Sequence, residues 1–132
     1  MKFANAFAPT EEELREWASD PDAEYPEEMS QDWDLILAEP SYASTLITLA
    51  CEDSPNRGFF LSCLYIISGD CIRTRVNELS INDVREAFKL IPEHAPEDVK
   101  LWKKRSDGLF NDPSLYNYDD WGWGDLAYDS DT

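Results

Sequence analysis

Gly58-Phe59-Phe60-Leu61-Ser62-Cys63-Leu64-Tyr65-Ile66-Ile67-Ser68-Gly69-Asp70-Cys71-Ile72-Arg73 is the only long apolar run in this chain. From Phe59 to Ile67 only Ser62 is neither aliphatic, sulfur-bearing nor aromatic. Such a run fits a buried strand or a helix buried on most sides, and periodicity inside it does not separate the two. A rhythm emerges when the window is extended: Phe60, Cys63, Leu64, Ile67 and Cys71 recur three and four apart, which marks one face of a helix. Pro55-Asn56 before the run is a start signal with Asn56 as cap, and Arg73 and Arg75 follow where positive charge suits a helix C-terminus. The run therefore predicts one central, mostly buried helix over residues 57–77. Gly69 costs about 1 kcal/mol relative to Ala in a helix interior, which the close approach of a second helix would explain. Interrupted by Gly69 and Asp70, the run falls short of the roughly 20 apolar residues that a membrane span needs.

Further helices follow on either side. Thr10 with Glu13 three residues on is a capping box, and it opens a short helix through Leu14, Trp17 and Ala18 that ends near Ser19-Asp20-Pro21. Glu27 to Ala38 reads as a second helix with Met29, Trp33, Ile36 and Leu37 on one side, stopped by Pro40. Ser41 to Cys51 reads as a third, with Tyr42, Thr45, Leu46, Leu49 and Ala50 inward. Beyond the central helix, Ser80-Ile81-Asn82-Asp83 repeats the cap signature and opens a helix through Ile91, with Val84, Ala87, Phe88 and Ile91 inward. Pro96 suits the first position of a last helix containing Val99, Leu101 and Trp102. That helix would close with Lys103-Lys104-Arg105 in its final turn and Gly108 just past its end. The expected architecture is all-α, a compact single-domain bundle of about six helices around the central one. Residues 1–110 form the helical domain, and 111–132 an acidic, aromatic segment docked on it or partly flexible.

The 132 residues fit one domain, and 42% hydrophobic with 13% aromatic content is enough for a core. The N-terminal residues Met1 to Ala6 lack the apolar stretch of a signal peptide, so a cytoplasmic location is expected. Cys51, Cys63 and Cys71 are odd in number, and Cys63 and Cys71 would lie about 12 Å apart along one helix, too far to bridge. Three reduced, mostly buried thiols are expected.

Net charge is −17. Residues 1–39 carry 12 acids and two bases, and residues 106–132 carry seven acids and no base, while residues 59–105 balance seven acids against eight bases. Two acidic ends thus flank a near-neutral middle. Such a chain repels nucleic acid and anionic lipid and attracts basic proteins.

No catalytic motif is present. His94 is the only histidine, set between Pro92 and Pro96 with no nucleophile nearby, so it makes no triad. No two cysteines have zinc-ligand spacing, no glycine-rich phosphate loop occurs, and Asp125 to Asp131 lacks the glycine and closing glutamate of a calcium loop. Carboxylate pairs are abundant enough that none points to a glycosidase. Neither an enzyme nor a cofactor is expected. Asp70, inside the apolar helix, calls for a partner: Arg73 three residues on or an arginine from another helix, as a structural ion pair, with binding or proton handling as the alternative.

From Asn111 to Tyr128 the chain packs aromatics and aspartates into one short stretch. Two readings stand: rings that dock on the helical core with aspartates in water, or a binding surface, since Trp and Tyr dominate interface hot spots. Acidic and aromatic groups together suit an arginine-rich partner. The predicted surface joins Glu24, Glu27, Glu28 and Asp32 of the acidic N-terminal half to Tyr116, Tyr118, Asp119, Asp120, Trp121, Trp123 and Asp125 of the tail. In size, charge and lack of catalytic motifs the chain resembles the small acidic immunity proteins of bacterial toxin systems, which neutralise a toxin by binding it. That resemblance implies an inhibitor capping a basic, nuclease-like active site. A nucleic-acid mimic that blocks a DNA-binding protein, and a soluble adaptor or assembly protein, are the competing readings.

Overall fold

Helix α4, Arg57–Arg73, is buried on all sides from Phe59 to Gly69, so the remaining elements must pack around it. In this computed structural model, residues 3–6, 8–26, 33–73, 78–121 and 125–128 are described, without the side chains of Glu78, Leu79, Ser80, Asp119, Asp125 and Tyr128. Among them the chain forms α-helices and short 3-10 turns and no strand: the fold is all-α. Helices α1 (Glu11–Ala18), α2 (Trp33–Leu37) and α3 (Ala43–Cys51) precede α4, and α5 (Glu78–Phe88), α6 (Glu97–Asn111) and α7 (Tyr118–Trp121) follow it. The predicted stretch 74–77 of the central helix and 27–32 of the second lie outside the described residues.

The capping box of α1 forms as read, with Thr10 Oγ1 accepting from Glu13 N and the Glu13 carboxylate accepting from Thr10 N. Around the first turn of α4, Trp17, Trp33, Phe59 and Phe60 build one ring cluster. Trp33 stacks on Phe59 at 5.1 Å, Trp17 meets Trp33 edge-on at 5.0 Å, and the Trp33 Nε1–H donates to Ala6 O at 2.9 Å. Asn56, read as a cap, uses its side-chain amide to donate to Trp17 O and Asp20 O, tying the end of α1 to the start of α4. Next to it, Arg57 donates to Ala50 O and grips Asp98 with two hydrogen bonds of 2.8 and 2.6 Å, joining α3, α4 and α6. Deeper in, Ser68 and Ser106 share a 2.7 Å hydrogen bond, and Trp102 Nε1–H donates to Ser68 Oγ at 3.1 Å, all three residues fully buried.

Three helix boundaries differ from expectation. The third helix begins with a 3-10 turn, Pro40–Tyr42, in which Tyr42 N–H reaches back three residues to Glu39 O; α3 proper starts at Ala43. Helix α5 spans Glu78–Phe88, so Ser80 lies inside the helix and not ahead of it. Lys89, Leu90 and Ile91 continue with three-residue hydrogen bonds, a tightening that precedes Pro92. Helix α6 runs through Gly108 to Asn111 and stops at Asp112, the residue before Pro113. Pro113 is the terminator, Gly108 faces open space, and Lys103-Lys104-Arg105 sit in mid-helix and not in the last turn. The expected close approach at Gly69 is real. A Cβ there would lie 2.8 Å from Trp121 Cβ and 3.2 Å from Trp121 O, so the approaching element is α7 of the C-terminal segment.

Candidate partner-binding surface

The C-terminal segment folds by local capping before it meets the core. Asp112 Oδ1 accepts from Ser114 N–H at 3.3 Å and Ser114 Oγ–H at 2.6 Å, closing the 3-10 turn Pro113–Leu115. Asn117 Oδ1 accepts from Asp120 N–H at 2.8 Å, and its amide donates to the Asp120 carboxylate at 2.6 Å, which starts α7. The segment then turns its apolar groups inward. Trp121 is 6% exposed with its ring 5.5 Å from that of Tyr65, while Leu126 and Ala127 pack on the core from the 3-10 turn Asp125–Tyr128.

Arg105 fastens this arrangement. Its guanidinium donates to Tyr65 OH at 3.2 Å and to Leu126 O at 3.4 Å, and stands 6.0 Å from the Tyr65 ring. Tyr116 also packs against the core; its hydroxyl is buried with no partner among the described residues, and burial raises its pKa against the pull of Arg73. Facing outward on the same segment are Leu115 at 57% and Tyr118 at 45% exposure, with Asp112, Asn117 and Asp120 exposed beside them. The tail is thus a docked layer whose outer side leaves Leu115, Tyr118, Asp112 and Asp120 exposed.

Of the predicted residues, Tyr118 and Asp120 are exposed on that face. Tyr116 is half-buried, and Trp121 is a core residue, a correction that follows from the notch at Gly69 taking its Cβ. Glu24 is exposed at the other end of the molecule, its carbonyl accepting from Trp17 Nε1–H at 2.9 Å, next to Tyr25, whose ring lies 5.4 Å from that of Phe59. Glu27, Glu28, Asp32 and Trp123, and the side chains of Asp119 and Asp125, lie outside the described residues. Phe59 and Gly69 are separated by about 15 Å along α4, so the described members of the predicted surface form two patches and not one. Sequence reasoning missed Arg105 as a tail anchor because it read α6 as ending there. It missed Leu115 because a lone exposed aliphatic carries no periodic signal.

Asp70 pairs with Arg73 at 3.4 Å at the half-buried end of α4; burial raises its carboxyl pKa and Arg73 opposes the rise. The cysteines are unbridged, with Cys63 and Cys71 buried and burial pushing the Cys71 thiol up to about 12, far from a reactive thiolate. His94 is exposed. Among the described residues no three His, Cys, Asp or Glu side chains group as a metal site, and no helix is long and apolar enough to cross a membrane. No family model, curated protein or solved structure matches this chain.

Proposed function

We propose that this chain is a non-enzymatic binding protein that neutralises a basic partner, in the manner of an immunity protein that caps a nuclease-like toxin in the cytoplasm. The observation that carries this reading is the outer face of the C-terminal segment, where exposed Leu115 and Tyr118 stand among Asp112 and Asp120 in a stretch that has seven acids and no base from residue 106 onward. Apolar contact area beside the exposed Asp112 and Asp120 carboxylates fits a cationic protein surface better than solvent alone. Net charge of −17 adds long-range steering, which speeds the encounter at low salt. The exposed Glu24 and Tyr25 patch at the far end of α4 offers a second, smaller contact.

The test is affinity capture on the full chain from extract of its own source cells at low salt. The expected result is retention of one basic protein with nuclease activity, which falls as the chain is titrated in and whose retention weakens as salt rises. Retention of several unrelated DNA-binding proteins would replace this reading with nucleic-acid mimicry. Binding indifferent to salt would leave an adaptor.

A further inference from the structure

Three single turns make up the described C-terminal segment: the 3-10 turns Pro113–Leu115 and Asp125–Tyr128, with helix α7 between them. A single turn is not stable in water by itself, because nucleation costs more than its hydrogen bonds return. The caps that start the first two, Asp112 to Ser114 and Asn117 to Asp120, stay within the segment. What holds the turns in shape is therefore their seat on the core. Trp121 lies in the notch at Gly69 and against the Tyr65 ring, and Arg105 holds Leu126 O. Tyr116 works against that hold. Docking brings its ring onto the core and leaves its hydroxyl buried with no hydrogen-bond partner among the described residues. Such a hydroxyl forgoes the bonds to water that it makes when exposed, and native folds keep few groups in that condition.

We propose that the segment is a strap with a closed and an open state, hinged at Asp112-Pro113, and that the stranded Tyr116 hydroxyl is the counterweight that lets it open without unfolding the bundle. Asp112 is the pivot because α6 stops there and Pro113 supplies no N–H to carry the helix on. In the open state the Tyr116 hydroxyl regains water, while Tyr65 and the notch at Gly69 are bared. Leu115 and Tyr118 ride on the strap, so the outer face is a shaped surface only while the strap is closed. The inference stands apart from the basic-partner reading above: it concerns the opening of the segment, whatever binds there.

The experiment is amide hydrogen exchange on the full chain. The reporters are the amides of Leu115 and Trp121, which are bonded inside the strap's own turns to Asp112 O and Asn117 O, and the reference is the interior of α3. In wild type the strap amides should open roughly tenfold or more as readily as those of α3. Tyr116→Phe keeps the ring and deletes the hydroxyl, and should slow strap exchange about fivefold or more, the lower end of what a stranded buried hydroxyl costs. Trp121→Ala should abolish strap protection while α3 stays protected. If Trp121→Ala fails to fold, Tyr116→Phe decides, since it removes one atom that makes no hydrogen bond among the described residues. Equal opening of strap and α3 in wild type overturns the strap. Strap exchange that is unchanged or faster in Tyr116→Phe overturns the counterweight.

Discussion

At the first turn of α4, Trp17, Trp33, Phe60 and Tyr25 crowd around Phe59, and Asn56 adds hydrogen bonds that bind α1 to the same place. At its last turns a single indole, Trp121, rests on Gly69, helped by one arginine. Both regions carry surplus negative charge, yet one is fastened by a ring cluster in which each member has several neighbours and the other by Trp121, Tyr116, Leu126 and Ala127 packed singly on the core with Arg105 bonded across them. Redundant contacts make the N-terminal layer part of the cooperative core. The tail is built of single turns, Pro113–Leu115, Tyr118–Trp121 and Asp125–Tyr128, which makes it the end whose docking can change without the rest unfolding.

The comparison is broken most directly by Trp33→Ala. It removes a fully buried ring that touches Phe3, Trp17, Tyr25 and Phe59, and should cost about 3–5 kcal/mol, read as a large fall in the denaturant midpoint of the whole molecule. Gly69→Ala makes the contrasting change. The helix gains about 1 kcal/mol from the better helix former, against about 1–3 kcal/mol for forcing Trp121 away. The net loss should therefore stay below about 2 kcal/mol. Tail amides should exchange faster while those of α1 and α3 do not. Uniform loss of protection would show that the two ends are equally coupled to the core.

A third prediction concerns acid. The Arg57 guanidinium beside Asp98 holds that carboxyl below the usual carboxylate range, so the folded state binds the proton less tightly than the unfolded one. The pair's contribution is therefore full above about pH 4 and is lost as pH falls through the lower folded value. Asp98→Asn should cost about 1 kcal/mol near neutrality, modest because the carboxylate is partly exposed, and should flatten the acid limb of a stability–pH curve. An unchanged limb would mean the pair adds nothing. The smallest effect is expected at Arg15, which bridges Glu52 at 2.8 Å and Glu11 at 3.1 Å at a half-exposed site. Arg15→Gln should cost no more than about 0.5 kcal/mol and the difference should vanish in high salt.

The central helix was legible because an apolar run in an acidic chain has only one place to go, and the α1 cap was legible because Thr10 and Glu13 bond within four residues. Gly69 was legible as a close approach, though not what approached. What stayed hidden depends on distance in sequence. The stop of α6 at Pro113 competed with a plausible glycine at 108, and the open space beside Gly108 shows that nothing there demands a turn. Trp121 could be placed outward or inward on its own chemistry, and only a notch 52 residues earlier decides it. Likewise Arg105 looked like a dipole partner because Tyr65 and Leu126, the groups it joins, lie 40 and 21 residues away.

The trio of Ser68, Ser106 and Trp102 has a bearing on all of this. If α6 slid one turn along α4, two hydroxyls and an indole N–H would be stranded in a dry interior, at about 1–3 kcal/mol for each orphaned group. Mis-slid packings of the two helices are thereby ruled out. Because Arg105 immediately precedes Ser106, the same vernier aims its guanidinium, so the berth of the tail is set by a hydroxyl pair sealed from solvent.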